Sequence, residues 1–243
     1  MWALTERGFR TTLLIAFITL SWITLWAWGR TPYGVHFHHA AIASALFQDG
    51  LRPILFFTFG WTLMTVAMML PTSFPLLARF HVLVSEREQR EWLVALCITG
   101  YLLSWIFFGV IAQFGVSELY PFIGGPNFQT ALLIVAGIYQ FTPLKHYCLQ
   151  KCRSPMSFIS EHWHGKNAAV ESFWLGAHHG LFCIGCCWSL MLLMFLAVTI
   201  HFLWMLVLGT IMAVEKNVSW GNRISVPLGL LLIIFGVVLR VGA

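Results

Sequence analysis

Residues 173–200 read FWLGAHHGLFCIGCCWSLMLLMFLAVTI and contain no Asp, Glu, Lys or Arg. A helix needs about 20 consecutive apolar residues to cross the hydrocarbon core of a bilayer. An uncharged run of this length therefore predicts a transmembrane helix. The same run carries His and Cys side chains, which are costly to bury in lipid without a partner and therefore indicate a functional site.

The rest of the chain has the same apolar character. Of its 243 residues, 59% are hydrophobic and only 9% are charged, whereas a soluble domain carries about 25% charged residues. The mean hydropathy is +0.80. We therefore expect an all-α fold, a polytopic membrane helix bundle that forms one domain over residues 1–243. The apolar runs predict about seven transmembrane helices, over residues 11–28, 53–78, 92–114, 128–147, 173–200, 201–214 and 224–241.

Two of these helix boundaries are placed at a few particular residues. Pro71 and Pro75 lie inside the second span, and proline removes a backbone donor and kinks a helix. The second span is therefore expected to bend or end near Pro71. The fifth and sixth spans form one continuous apolar run, which we divide at the polar residues Thr199 and His201.

The distribution of Lys and Arg predicts the orientation. With the N-terminus in the cytoplasm, eleven of the 14 basic residues lie inside and three lie outside, as the positive-inside rule requires. The segment 115–127 contains no Lys or Arg, as expected of an outside loop. The basic residues that give the net charge of +5 are thus explained by orientation in the lipid bilayer. The charge does not indicate a nucleic-acid partner.

The fifth span contains the strongest candidate site. His179, Cys183, Cys186 and Cys187 lie three or four positions apart and share one face of a helix. One metal ion can serve as the partner of all these groups, and soft sulfur ligands favour Cu(I), Zn(II) or iron–sulfur clusters. His178 is a weaker candidate, because adjacent helical residues point about 100° apart. Alternatively, the cysteines are small apolar side chains that pack between helices.

A second cysteine pair lies at the inner end of the fourth span. Cys148 and Cys152 are four residues apart, so they share a face if the helix continues through both. An inside loop joins the fourth and fifth spans, and the two groups of cysteines could therefore form one site or two adjacent sites. The alternative is a basic segment at the membrane surface with incidental cysteines, or a lipidation site.

Several other residues are weaker candidates. His36, His38 and His39 lie in the first outside loop, and histidine-rich tracts can bind copper or zinc. Met68 offers a thioether, which suits Cu(I), although methionine also fills gaps in apolar cores.

Glu215 and Lys216 are expected to form an interfacial ion pair. Glu171 is expected near a helix N-terminus, and small residues on the fifth span favour close helix packing; these are Gly176, Gly180 and Gly185.

Several motifs occur in an order that resembles a known family. They are Met68-Met69-Leu70-Pro71, the stretch 139–145 (YQFTPLK), Gly176-x-x-His179-Gly180-x-x-Cys183-x-Gly185-Cys186-Cys187-Trp188, and Glu215-Lys216. The chain resembles a bacterial family of predicted metal-binding integral membrane proteins, a domain of unknown function, over about residues 55–220. The resemblance implies a multi-helix membrane fold and a metal site. It implies no reaction, and it does not extend to the histidines of the first loop.

These patterns favour a membrane metal-site protein of the bacterial inner membrane. Copper is the first choice and zinc the second, and the protein would hold or pass on the metal for a membrane oxidase or monooxygenase, or act as its accessory subunit. A role without turnover is favoured over an enzyme.

Two alternatives remain. Cys183-x-x-Cys186 has the spacing of a membrane thiol–disulfide oxidoreductase, but Cys148 and Cys152 fall on the reducing side of the membrane. A cofactor-free structural or assembly subunit would use its aromatic residues for lipid and helix contacts alone.

Overall fold

The computed structural model of the protein describes residues 16–27, 52–123, 126–196 and 201–241. Within these ranges the chain is helical and contains no β-strand. The ten α-helices of the described residues are α1 (Ala16–Ala27), α2 (Arg52–Thr72), α3 (Phe74–Leu83), α4 (Arg90–Ile123), α5 (Pro126–Tyr139), α6 (Pro143–Arg153), α7 (Pro155–His162), α8 (Ala168–Leu192), α9 (His201–Asn217) and α10 (Ser225–Val241). Short 3-10 helices follow α8 and precede α10, over Leu193–Leu196 and Gly221–Ile224.

Four helical segments of the described residues are long and apolar enough to cross a membrane: Ile54–Thr72, Arg90–Val116, Ala168–Leu192 and Gly221–Val241. Three further apolar helices are shorter, Ala16–Ala27, Phe74–Leu83 and Asn127–Tyr139. The all-α class is therefore confirmed, and the chain has the helices of a membrane protein. The number of seven spans and the cytoplasmic N-terminus stay predictions.

The second predicted span breaks close to the expected proline. Helix α2 ends at Thr72, one residue after Pro71, and Pro75 lies in the first turn of α3. The backbone N–H of Ser73 donates to the carbonyl of Leu70 over 3.1 Å. Because this bond replaces the regular one to Met69, the carbonyl of Met69 is available to other donors.

The fourth predicted span is interrupted. Helix α5 ends at Tyr139, and α6 begins at Pro143 after a short turn. Proline cannot donate a backbone hydrogen bond and disfavours the helical conformation in the residue before it. The side chain of Thr142 caps α6 by accepting a hydrogen bond from the N–H of Lys145 over 3.3 Å. The single helix expected over 128–147 is thus two helices, and α6 packs against α8.

The carboxylate of Glu171 caps the beginning of α8. It accepts hydrogen bonds from four backbone N–H groups before the helix, those of His164, Gly165, Lys166 and Asn167. These groups precede or open the helix, where N–H groups lack partners within it. The expectation that Glu171 lies near a helix N-terminus is confirmed.

Helices α4 and α8 form the most extensive helix contact among the described residues. They approach so closely that a Cβ added at Gly176 would overlap the carbonyl group of Cys97. A Cβ added at Gly180 would lie 2.8 Å from the Cβ of Ser104. Across the same contact, the Ser104 hydroxyl donates to the carbonyl of Ala177 over 3.1 Å. The glycines of α8 therefore allow the close packing that the sequence predicts.

Replacing Gly176 by alanine is expected to destabilise the protein by about 1–3 kcal/mol, because the added methyl group must push the backbone of α4 away from α8. The measurement is the thermal unfolding of detergent-solubilised protein. Gly115→Ala is the matched control on α4, since a Cβ there meets open space. Equal unfolding temperatures for the two variants would contradict the close contact.

Candidate metal centre

The buried face of α8 carries three predicted ligands. Cys183, Cys186 and Cys187 are all buried, because they lie three or four positions apart on one side of the helix. The thiols of Cys186 and Cys187 both donate to the carbonyl oxygen of Cys183, over 3.1 and 2.9 Å. All six cysteines of the chain are free thiols. The three sulfur atoms on α8 are therefore reduced and point toward a common region.

Helix α6 brings the second cysteine pair to the same region. Cys148 lies against Gly185, where an added Cβ would be only 2.6 Å from the Cys148 sulfur. Cys152, one turn further along α6, is half-buried and packs against the core that contains Cys183, Cys186 and Cys187. The sequence left open whether the two groups of cysteines meet, and the structure brings them together. We call the resulting group the thiol cluster, which consists of Cys148, Cys152, Cys183, Cys186 and Cys187.

A buried lysine on α9 contacts the thiol cluster. Lys216 is only 6% exposed, and its Nζ lies 2.9 Å from the sulfur of Cys183 and 3.9 Å from that of Cys187. Nζ also donates to the hydroxyl of Thr72 over 3.2 Å and lies 3.8 Å from the sulfur of Met69. A buried ammonium group needs polar or anionic partners, and here sulfur atoms supply most of them.

The thioether beside the thiol cluster belongs to Met69. Its sulfur lies 3.7 Å from the sulfur of Cys187. The side chain of Met68, the methionine singled out from the sequence, lies against Gly209 of α9 instead. Successive helical residues point about 100° apart, and this rotation separates the surroundings of the two methionines.

Tyr101 connects α4 to the thiol cluster. Its hydroxyl oxygen lies 3.1 Å from the sulfur of Cys183. The same hydroxyl donates to the carbonyl of Met69 over 3.3 Å. That carbonyl is available because α2 ends nearby at Thr72. The helix break thus provides an acceptor that holds the phenol against Cys183.

The two adjacent histidines of α8 have different surroundings. The Nε2 of buried His179 lies 3.3 Å from the hydroxyl oxygen of Ser73, and its ring stacks on Tyr101 with the ring centroids 5.8 Å apart. The ring of His178 lies against His162, with the centroids 4.9 Å apart. Among the described residues, the buried Nδ1 atoms of both α8 histidines have no hydrogen-bond partner. Of the two, His179 shares a neighbour, Tyr101, with Cys183.

Glu215 and Lys216 do not form the ion pair that the sequence suggested. Glu215 pairs with Lys145 of α6, whose Nζ lies 2.8 and 3.0 Å from the two carboxylate oxygens. Both side chains are almost fully buried. The hydroxyl of Ser225 donates to Glu215 over 2.7 Å, and Lys145 also donates to Gln140. The expected pair is wrong because adjacent residues of α9 point in different directions.

The described residues contain no group of three or more His, Cys, Asp and Glu side chains arranged to hold a metal ion. In the thiol cluster, the sulfur atoms contact the Lys216 ammonium group and a backbone carbonyl instead. Ligation by several thiols therefore requires side-chain rotation. The histidines predicted in the first loop, His36, His38 and His39, lie outside the described residues.

The comparison with protein families identifies a match over most of the chain. A family described as PpoB2, copper chaperone, matches residues 58–239. The chain belongs to this copper chaperone family. The match supports the metal-related membrane family inferred from the motifs and favours copper over zinc. Searches of curated proteins and of solved structures gave no match.

Sequence reasoning missed Tyr101 and Lys216 as neighbours of the thiol cluster, and among the methionines it preferred Met68 to Met69. One signal was present for Lys216, since a lysine directly after a long apolar helix segment is costly unless it reaches water or a partner. The sequence could not show which of these outcomes applies. The contacts of Tyr101 and Met69 depend on how α2, α4 and α8 pack together, which helical periodicity alone does not determine.

Removing one partner of the buried Lys145–Glu215 pair is expected to cost about 3–5 kcal/mol, because the other charge is left buried and uncompensated. Lys145→Met and Glu215→Gln should each lower the unfolding temperature in detergent. The double variant should recover part of the loss, since it leaves no isolated charge.

The exposed Lys151–Glu161 pair supplies the control. Its ammonium–carboxylate distance is 2.7 Å, and the hydrogen bond from Lys151 lowers the pKa of Glu161. Because solvent screens this pair, Glu161→Gln should leave the unfolding temperature nearly unchanged. A similar loss for Glu161→Gln and Glu215→Gln would contradict the distinction between the buried and the exposed pair.

Proposed function

We propose that the protein is a membrane copper chaperone that carries Cu(I) on the thiol cluster. Cys183, Cys186 and Cys187 of α8 supply the first ligands, and Cys148 and Cys152 of α6 supply further ones. The convergence of four buried free thiols from two helices, with the half-buried thiol of Cys152 packed against the same core, carries this proposal. Membership of a copper chaperone family supports copper as the cargo.

The donor set suits Cu(I) better than a hard cation. Thiolates and thioethers are soft ligands that select Cu(I), whereas Mg²⁺ and Ca²⁺ require oxygen ligands. The sulfur of Met69 lies beside Cys187, and the imidazole of His179 adds a nitrogen donor near the same site. Zinc is the second choice, because it also binds thiolates and imidazoles but prefers four ligands in a tetrahedron.

The arrangement also suits delivery rather than storage. The thiols face the Lys216 ammonium group and a backbone carbonyl, so bound copper depends on ligands that can rotate toward it and away again. An excess of thiols over what one Cu(I) ion needs allows copper to pass from one set of sulfur ligands to another. We propose that the recipient is a membrane oxidase or monooxygenase of the bacterial inner membrane.

The decisive experiment is elemental analysis of detergent-purified protein that has been loaded anaerobically with Cu(I). Wild-type protein should retain about one copper ion per chain after desalting, because the thiol cluster supplies several soft ligands. The variant Cys183→Ser/Cys186→Ser should lose most of it. The reaction of the free thiols with a thiol reagent, measured with and without copper, reports the same site independently.

Cys97→Ser is the matched control for this experiment. Cys97 is also a buried, free cysteine, but it lies on α4, where its backbone faces Gly176. Copper retention by the Cys97→Ser protein, together with loss in the double variant, supports the thiol cluster as the site. If the wild type retains no copper, or if the double variant retains as much as the wild type, the proposal fails.

The cytoplasmic location of the N-terminus is part of the same proposal, and the Lys and Arg distribution supports it. A periplasmic reporter enzyme fused after Glu88 should be inactive, since that segment is expected inside. The same reporter fused after residue 125 should be active, because segment 115–127 contains no basic residue. The reverse pattern of activity would invert the orientation.

A further inference from the structure

We propose that Lys216 makes the thiol cluster selective for monovalent copper over divalent metal ions. The inference rests on the proposed copper function and adds a residue that determines its specificity. Lys216 would act through its positive charge beside the ligands, and it would not itself bind the metal.

The position of the ammonium group carries the argument. Its nitrogen lies within 4 Å of three sulfur atoms, at 2.9 Å from Cys183, 3.8 Å from Met69 and 3.9 Å from Cys187. The adjacent carboxylate of Glu215 is directed to Lys145 instead. The charge of Lys216 is therefore directed at the cluster.

Charge balance makes this position significant for Cu(I). A Cu(I) ion bound by two thiolates carries a net negative charge, and a charge buried in an apolar interior is costly unless it is compensated. Each thiol that binds as a thiolate releases its proton to water. With Cys183 and Cys187 as the thiolates, the ammonium group of Lys216 makes the loaded site neutral.

The same charge acts against divalent ions. Two thiolates already neutralise Zn(II), so the ammonium group leaves a site with two thiolates and Zn(II) positively charged. Neutrality would need a third thiolate, and Zn(II) also prefers four ligands in a tetrahedron. Zn(II) therefore needs further ligands beside Cys183 and Cys187, whereas the two thiolates already balance the charge of Cu(I) and Lys216.

The test compares Lys216→Gln with Lys216→Arg, which keeps the positive charge. Anaerobic chelator competition in detergent gives the affinities for Cu(I) and for Zn(II) separately. Lys216→Gln should bind Cu(I) about tenfold or more weakly and Zn(II) more tightly than wild type, since charges about 4 Å apart interact strongly near a protein interior. Lys216→Arg should keep the wild-type order of the two metals.

Opposite changes for the two metals distinguish a charge effect from structural damage. If Lys216→Gln weakens both metals equally, or changes neither, the inference is overturned while the copper site itself stands. If the wild type binds no copper, the proposed function fails and the inference fails with it.

A second measurement does not depend on the variant folding. Wild-type protein should bind Ag(I), a monovalent ion without redox chemistry under these conditions, in the presence of excess Zn(II). Displacement of Ag(I) from the cluster by Zn(II) would overturn the inference.

Discussion

The close approach of α4 and α8 at Gly176 is the constraint on which the candidate site depends. Because no side chain separates the helices there, the backbone of α8 lies against the carbonyl group of Cys97. One turn along α4, Tyr101 then reaches Cys183, which lies about two turns along α8. A larger residue at the contact would move the phenol away from the sulfur. The geometry of the thiol cluster is thus set by a contact more than one helical turn away from it.

Breaks in regular structure provide the remaining contacts. The end of α2 at Thr72 makes the carbonyl of Met69 available to Tyr101 and places the Thr72 hydroxyl beside Lys216. The turn before Pro143 starts a new helix, α6, which carries Cys148 to the gap left by Gly185. In an apolar interior each polar group needs a hydrogen-bond partner. These two helix breaks supply donors and acceptors that a continuous helix would use in its own hydrogen bonds.

Much of this arrangement could be read from local sequence patterns. The apolar runs predicted the helical class, the spacing of three and four residues predicted that Cys183, Cys186 and Cys187 share a face, and Pro71 predicted the end of α2. Pro143 was an equally clear signal, but the prediction of one span over 128–147 did not use it. The neighbours contributed by other helices could not be predicted, because periodicity gives the face of one helix and not the rotation of its partner.

The two charged residues at the end of α9 fix the rotational register of that helix. Glu215 is held by Lys145 on one side, and Lys216 is held by sulfur and hydroxyl groups on another. A rigid helix cannot turn to relieve one of these contacts without breaking the other. An insertion of one residue before Glu215 would rotate both side chains by about 100°. The acid would then face the sulfur atoms, and Lys145 would lose its carboxylate partner. The contacts of Glu215 and Lys216 therefore constrain the number of residues in α9 as well as its composition.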